Sequence, residues 1–299
     1  MNLKSLDTLV QMAKSKTTRR LAVAAAGDEH VLEAVLEAKK QGIVEPILVG
    51  DKNRIDQISE KLRLDLSGIE IINEPNPAVA AQKAVSLIKE RKADVLMKGL
   101  VSTGPLLKAV LDKENGLRKG GTLSHIAFFE SNYYHKLISV TDAAMNVEPE
   151  LQDKVEILKN AVEAYHKLGI KEPKVAVVGA VESVNPKMDP SVHGAILTAM
   201  NKRVQIKGCL VDGPLALDNA VSKEAAKHKG IVSDVAGDVD IILTPDIYSG
   251  NVLYKSLNFL GGAISAAVIM GAKAPIVLTS RADSEKSKFM SIALAAAME

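Results

Sequence analysis

Short apolar runs alternate with amphipathic stretches along most of this chain, and that alternation restricts its fold more than any other property of the sequence. A run of Val, Ile, Leu and Ala bounded by turn residues reads as a strand buried on both faces. The amphipathic stretch after it reads as a helix covering that strand. Repeated, the pair gives mainly parallel sheets flanked by helices, an α/β fold. Aromatic residues are only 3% of the chain and Trp is absent, so Ala, Val, Ile and Leu must fill the core.

The first series runs through LAVAAA (Leu21 to Ala26), EPILVG (Glu45 to Gly50), IEIIN (Ile69 to Asn73) and DVLMKG (Asp94 to Gly99). Asp28 and Asp51 are placed to cap the intervening helices, and Asn76-Pro77 supplies a cap and a helix-compatible proline. A second series opens with a helix from Glu150 to Leu168. It continues through strands KVAVVGA (Lys174 to Ala180), GCLVDG (Gly208 to Gly213) and VDIILTPD (Val239 to Asp246). A long apolar helix is expected after Gly250, then a strand PIVLTS (Pro275 to Ser280), then a helix whose stripe is Phe289, Ile292, Ala293 and Ala296. At 299 residues the chain has room for two such domains, and the polar, proline-bearing stretch Met145 to Pro149 is the natural break between them.

Several function classes drop out. Lys and Arg number 38 against 36 Asp and Glu, with no basic run, so nucleic acid is not an expected partner. The N-terminus has no apolar signal core and no stretch is apolar enough for a bilayer, so no membrane association is expected. The one cysteine, Cys209, cannot close an internal disulfide, which fits a cytoplasmic location. The six histidines show no metal-ligand spacing, so no metal is expected. His125, among apolar residues, reads as a core histidine rather than a base. VVGAVESV (Val177 to Val184) has one glycine after its strand, short of the dinucleotide fingerprint.

Four stretches place polar groups where a strand ends and a helix begins. In VLMKGLVSTGPLL (Val95 to Leu107), Lys98 ends a strand, and Ser102 and Thr103 precede a helix expected from Gly104-Pro105. Free N–H groups there, with two hydroxyls and an ammonium, suit a phosphate; alternatively Thr103 is a cap and Lys98 is solvated. TPDIYSGNVLYKSL (Thr244 to Leu257) repeats the pattern, with a turn at Gly250 and Asn251 either contacting a ligand or capping a helix. SVTDAAMNVEP (Ser139 to Pro149) ends an apolar run at Asp142, a ligand contact or a turn at the domain boundary. In PIVLTSRADSEKSK (Pro275 to Lys288), Arg281 offers a planar fork for phosphate oxygens or a developing oxyanion, with Ser280 beside it. Asp283 or Glu285 is a base or simply charges the helix start, and capping is preferred for Asp283. Asp212-Gly213-Pro214 reads as a tight turn.

Taken in order, MKGLVSTGPLL, SVTDAAMN, VDGPLALDNAV, PDIYSGNVLYK and TSRADSEKSK resemble the phosphate acetyl/butyryl transferase family over nearly the whole chain, nearest its butyryl branch. The resemblance implies two α/β domains like those of the isocitrate and isopropylmalate dehydrogenases. These would be residues 1–143 with 272–299, and residues 144–271, with the active site in the cleft between them. It also implies a homodimer or higher homo-oligomer. Ser280 and Arg281 are carried over as catalytic. Lys98, Ser102, Thr103, Asn251 and Asp142 are expected to bind substrate. The acetyl branch has an aspartate seven residues beyond the serine, where this chain has Ser287, so the base is left between Asp283, Glu285 and phosphate itself.

The reaction implied exchanges coenzyme A for phosphate on a short acyl group, with butyryl first among the candidates. Acyl-CoA, phosphate and acyl phosphate are then substrates, and no tightly bound cofactor is expected. Two other readings remain at this level: a metal- and NAD-dependent hydroxy-acid dehydrogenase of similar fold, and a non-catalytic protein that binds acyl-CoA.

Overall fold

A computed structural model describes residues 3–279 and 283–299. The chain divides into two compact units, one of Leu6–Gly121 with Ala266–Glu299 and one of Met1–Ser5 with Thr122–Ser265.

The first unit begins with α1 (Leu6–Lys14), β1 (Arg19–Ala24), α2 (Glu29–Lys40), β2 (Val44–Gly50), α3 (Lys52–Leu62), β3 (Glu70–Asn73), α4 (Pro77–Lys89), β4 (Val95–Lys98) and α5 (Thr103–Val110). The caps fall where the sequence puts them. Asp28 accepts from Val31 N at 3.0 Å, Asp51 from Asn53 N at 3.0 Å, and Asn76 from Ala78 N at 3.0 Å with Pro77 behind it.

The second unit holds β5 (Ser124–Glu130), β6 (Ile138–Thr141), α6 (Leu151–Lys167), β7 (Lys174–Val178), α7 (Asp189–Lys202), β8 (Leu210–Leu215), α8 (Leu217–Val221), α9 (Lys223–His228), β9 (Ile241–Leu243) and α10 (Ile247–Lys255). α10 runs on into one π-helical turn, Ser256–Leu260. Its strand order is β5-β6-β9-β7-β8, parallel except for the β5–β6 pair.

The chain then forms β10 (Ile264–Met270), β11 (Ile276–Val277) and α11 (Glu285–Met298). The first unit's order is β3-β2-β1-β4-β11-β10, with β11 parallel to β4 and β10 antiparallel to β11. Both sheets are therefore mixed and mostly parallel, with helices on their faces, and the fold is α/β.

Three sequence expectations are corrected here. The long apolar segment after Gly250 is a short helix followed by the strand β10, because Gly261 and Gly262 break the helix and Gly262 takes φ +63. Asp212-Gly213-Pro214 is no turn: β8 continues through it to Leu215, with an irregularity in its pairing to β7. The last helix is also more than a stripe. Phe289 to Met298 are buried on every side, where α11 packs against α1 and α2.

Cys209 is buried, and burial pushes its thiol up to about 12, so it is chemically quiet. His125 is buried in β5 with its ring edge-on to Tyr254 at 5.8 Å, a core environment. Among the described residues no helix is long and apolar enough to cross a membrane.

Candidate active site

In the first unit the VLM of β4 is fully buried and delivers Lys98 to the carboxyl end of the sheet. The next residue has to be glycine, since a Cβ at Gly99 would lie 2.3 Å from the Ala25 carbonyl oxygen. That close passage lets Gly99 N and Leu100 N bond to Ala24 O at 2.8 Å and Ala25 O at 2.7 Å, pinning the loop across the end of β1. Lys98 is buried, not solvated, and its Nζ lies 3.2 Å from Gly99 O and 3.3 Å from Val101 O. The helix starts at Thr103 with Ser102 in the capping position. Thr103 is thus not the cap, and Ser102 makes no side-chain cap bond. The free N–H groups of the first turn of α5 therefore have no side-chain oxygen from the cap, and a buried ammonium ends the preceding strand. Lys98, Ser102 and Thr103 thus lie in one strand-to-helix loop, with the Lys98 ammonium against the carbonyls of Gly99 and Val101.

In the second unit, Asp142 follows β6 and is buried. Its Oδ1 accepts from Ala144 N at 2.8 Å and Met145 N at 3.0 Å, and its Oδ2 from Asn146 Nδ2 at 2.6 Å. The carboxylate builds the turn that follows it. The parallel neighbour β9 ends at Leu243, and Thr244 Oγ1 lies 3.1 Å from Asp142 O. The cap of α10 is Asp246, accepting from Ser249 N at 2.8 Å, so Asn251 lies inside the helix rather than at its start. Its Nδ2 donates to Ala143 O at 3.0 Å, which joins Asn251 to the Asp142 turn.

Gly250 is likewise inside α10, not in a turn. A Cβ there would lie 2.2 Å from Asp142 O and 2.8 Å from Thr244 Oγ1, so glycine is what lets the helix seat on the turn. Gly250→Ala is expected to cost about 1–3 kcal/mol, measured by denaturant unfolding. Unchanged stability would show that the Asp142 turn yields without strain.

Ser280 and Arg281 lie outside the described residues. Beyond them, Asp283 is buried but does not cap α11. That role is taken by Ser284, which accepts from Ser287 N at 3.1 Å. The Asp283 carbonyl accepts from Lys288 Nζ at 2.5 Å. Burial holds Lys288 below the usual lysine range, against the opposing pull of Asp283 and Asp28. Glu285 is exposed in the first turn of the helix. The two candidate bases thus differ sharply in environment, one buried beside an ammonium and one in water.

One pair was passed over in the sequence. Lys154 of α6 is buried, and its Nζ donates to Nδ1 of His193 on α7 at 2.9 Å. Burial lowers the pKa of both groups, Lys154 lowers His193 further, and Asp189 opposes both shifts. The signal was present, because Lys154 falls on the same face as Leu158, Ala161 and Tyr165, an otherwise apolar stripe.

Comparison with known sequences decides what these loops belong to. The family described as Phosphate acetyl/butaryl transferase matches residues 5–81 and 76–296. The chain belongs to this family. It is 51% identical over 294 residues to a phosphate butyryltransferase of Clostridium acetobutylicum, covering 98% of each chain. It is 48% identical over 291 residues to a phosphate acetyltransferase of Thermotoga maritima, covering 97% of this chain and 98% of that one. Among solved structures it is similar to a branched-chain phosphotransacylase from Enterococcus faecalis V583. The TM-score is 0.82 at 35% identity, over 94% of this chain and 99% of the other.

Proposed function

We propose that this protein is a phosphate acyltransferase that interconverts acyl-CoA plus phosphate with acyl phosphate plus CoA, and that butyryl is its preferred acyl group. The observation that carries the reading is the β4–α5 loop. A buried ammonium, two hydroxyls and a helix start without a side-chain cap bond, all in one loop, support an anion site there, in a chain with a named phosphate butyryltransferase as a half-identical relative.

A phosphate oxygen attacks the thioester carbonyl carbon, a C–O bond forms, and a tetrahedral oxyanion develops. Collapse breaks the C–S bond, and the proton lost by phosphate ends on the CoA thiol. Lys98, Ser102 and Thr103 hold the phosphate; Ser280 and Arg281 bond to the reacting oxygens and stabilise the oxyanion. Asp283 or Glu285 relays the proton, or phosphate delivers it directly. Asn251, seated on the turn that the Asp142 carboxylate holds, serves the thioester end. Direct transfer is preferred over an acyl-enzyme because the one cysteine is buried with a raised pKa. Coenzyme A and phosphate are substrates here rather than bound cofactors. The need for both substrates supports a cytoplasmic location.

Identity alone does not choose the acyl group, since the butyryl and acetyl relatives stand at 51% and 48%. The test follows free-thiol release from butyryl-CoA and acetyl-CoA with and without inorganic phosphate. Phosphate-dependent release, faster with butyryl-CoA, is expected. Release that ignores phosphate, or none from either thioester, rejects the reading; NADH formation from a hydroxy acid would point to the dehydrogenase instead.

A further inference from the structure

A groove of about 390 Å³ opens in the second unit at the carboxyl ends of β7 and β9, where α/β sheets place their ligands. Its walls are carbon: Val178, Val181, Met188, Leu217 and Leu253, with Pro190 and Pro245. Three hydroxyls also line it, and each is engaged by its own chain. Ser191 Oγ bonds to Asn185 N and O and to Met188 O at 2.8–2.9 Å. Thr244 Oγ1 lies 3.3 Å from Thr141 O and 3.1 Å from Asp142 O, and Ser249 Oγ lies 2.8 Å from Asp246 Oδ1.

Gly179 leaves part of this space open. Its φ is outside the left-handed region, and a Cβ built there would meet only Pro190 Cβ, at the ordinary distance of 3.7 Å. Its N–H bond to Leu215 O, at 2.9 Å, would survive a side chain. Neither backbone nor packing demands a glycine, so what its missing side chain provides is room inside the groove.

We infer that this groove receives the hydrocarbon chain of the acyl group, and that Gly179 sets the length it accepts. The inference rests on the phosphate acyltransferase reading and assigns the acyl end of that substrate. The pantetheine arm is the other candidate, but its amide carbonyls would need donors, and each of these hydroxyls already directs its one proton to an oxygen of its own chain. A saturated chain needs none. Thr244 connects the groove to the reacting end, because the hydroxyl on its wall bonds to Asp142 O, and the Asp142 turn carries Asn251. A thioester held at that turn can direct its chain past Thr244 toward Gly179. Each methylene so buried raises kcat/KM roughly fourfold, which favours butyryl over acetyl.

The experiment measures kcat/KM for acetyl-, butyryl- and hexanoyl-CoA at saturating phosphate in the wild type, Gly179→Ala, Gly179→Val and Leu217→Ala. The butyryl-to-acetyl ratio is expected to fall about fourfold in Gly179→Ala and at least about tenfold in Gly179→Val. Leu217→Ala should raise the hexanoyl-to-butyryl ratio. Gly179→Ala introduces no clash, so it keeps the test alive if the valine variant does not fold. An unchanged ratio in an active Gly179→Ala enzyme overturns the inference, as does an equal loss with all three thioesters, the result expected if pantetheine lies there. A wild type without phosphate-dependent release from any thioester would instead reject the transferase reading itself.

Discussion

Arg281→Ala is expected to lower kcat by about 10²–10³ with little change in stability, because the guanidinium is assigned to charge that exists only on the way to product. β11 runs parallel to β4, pairing Val277 with Met97, so the chain leaves β11 at the same end of the sheet as Lys98. Thr279 is buried, and Ser284 caps the helix that follows. Arg281→Lys, which keeps the charge but loses the planar fork, should recover only part of the rate. Steady-state kinetics with butyryl-CoA and phosphate, beside a denaturant unfolding curve, separates the effects. Turnover near the wild-type value in Arg281→Ala would remove the residue from the mechanism.

The strands of this protein were legible where an apolar run stands alone between turn residues, as in β1, β2, β4, β7 and β9. β10 was hidden because its ISAAVIM follows α10 after a short glycine break, and the two apolar stretches merge into one when read by composition. The site loops were legible for a related reason: a strand end followed by a helix start concentrates polar groups in a few residues. Cap assignment inside those loops was not. Ser102 and Thr103, Asp246 and Asn251, Asp283 and Ser284 are all good capping types within a short distance of one another. Only the backbone angles decide which stands half outside the helix. Gly250 reads as a turn and Gly99 as a strand end in the sequence, whereas both are required by close backbone passage, a tertiary fact that no local pattern carries.

Lys136→Met is expected to cost about 3 kcal/mol of stability while leaving kcat/KM unchanged. The Lys136 side chain is only 4% exposed, and its Nζ lies 2.7 Å from Asp240 Oδ1 and 3.2 Å from Asp238 Oδ1. His135 Nε2 shares Asp238 Oδ1 at 2.8 Å, Lys174 Nζ holds Oδ2 at 2.7 Å, and Lys174 N bonds to Asp240 Oδ2 at 2.8 Å. The cluster ties together the amino ends of β6, β7 and β9, opposite the Asp142 turn and the groove, so its loss should not reach the chemistry. Removing one member of a buried ion pair costs about 3–5 kcal/mol, and the low end applies because Asp238 is a quarter exposed and keeps two partners. Burial alone would raise the Asp238 pKa, but hydrogen bonds from Lys174, His135 and Lys136 outweigh it and hold the carboxyl well below its ordinary 3.8. A depressed carboxylate stabilises the fold above its unfolded pKa and loses that contribution as pH falls through the folded one. The gap between wild type and Lys136→Met should therefore be widest near neutrality and narrow below about pH 4. A gap that is flat with pH would place the cost in lost packing of the lysine stem instead. Adding Asp240→Asn to Lys136→Met should cost less than the two single changes summed, because the double variant no longer buries a charge that has lost its partner.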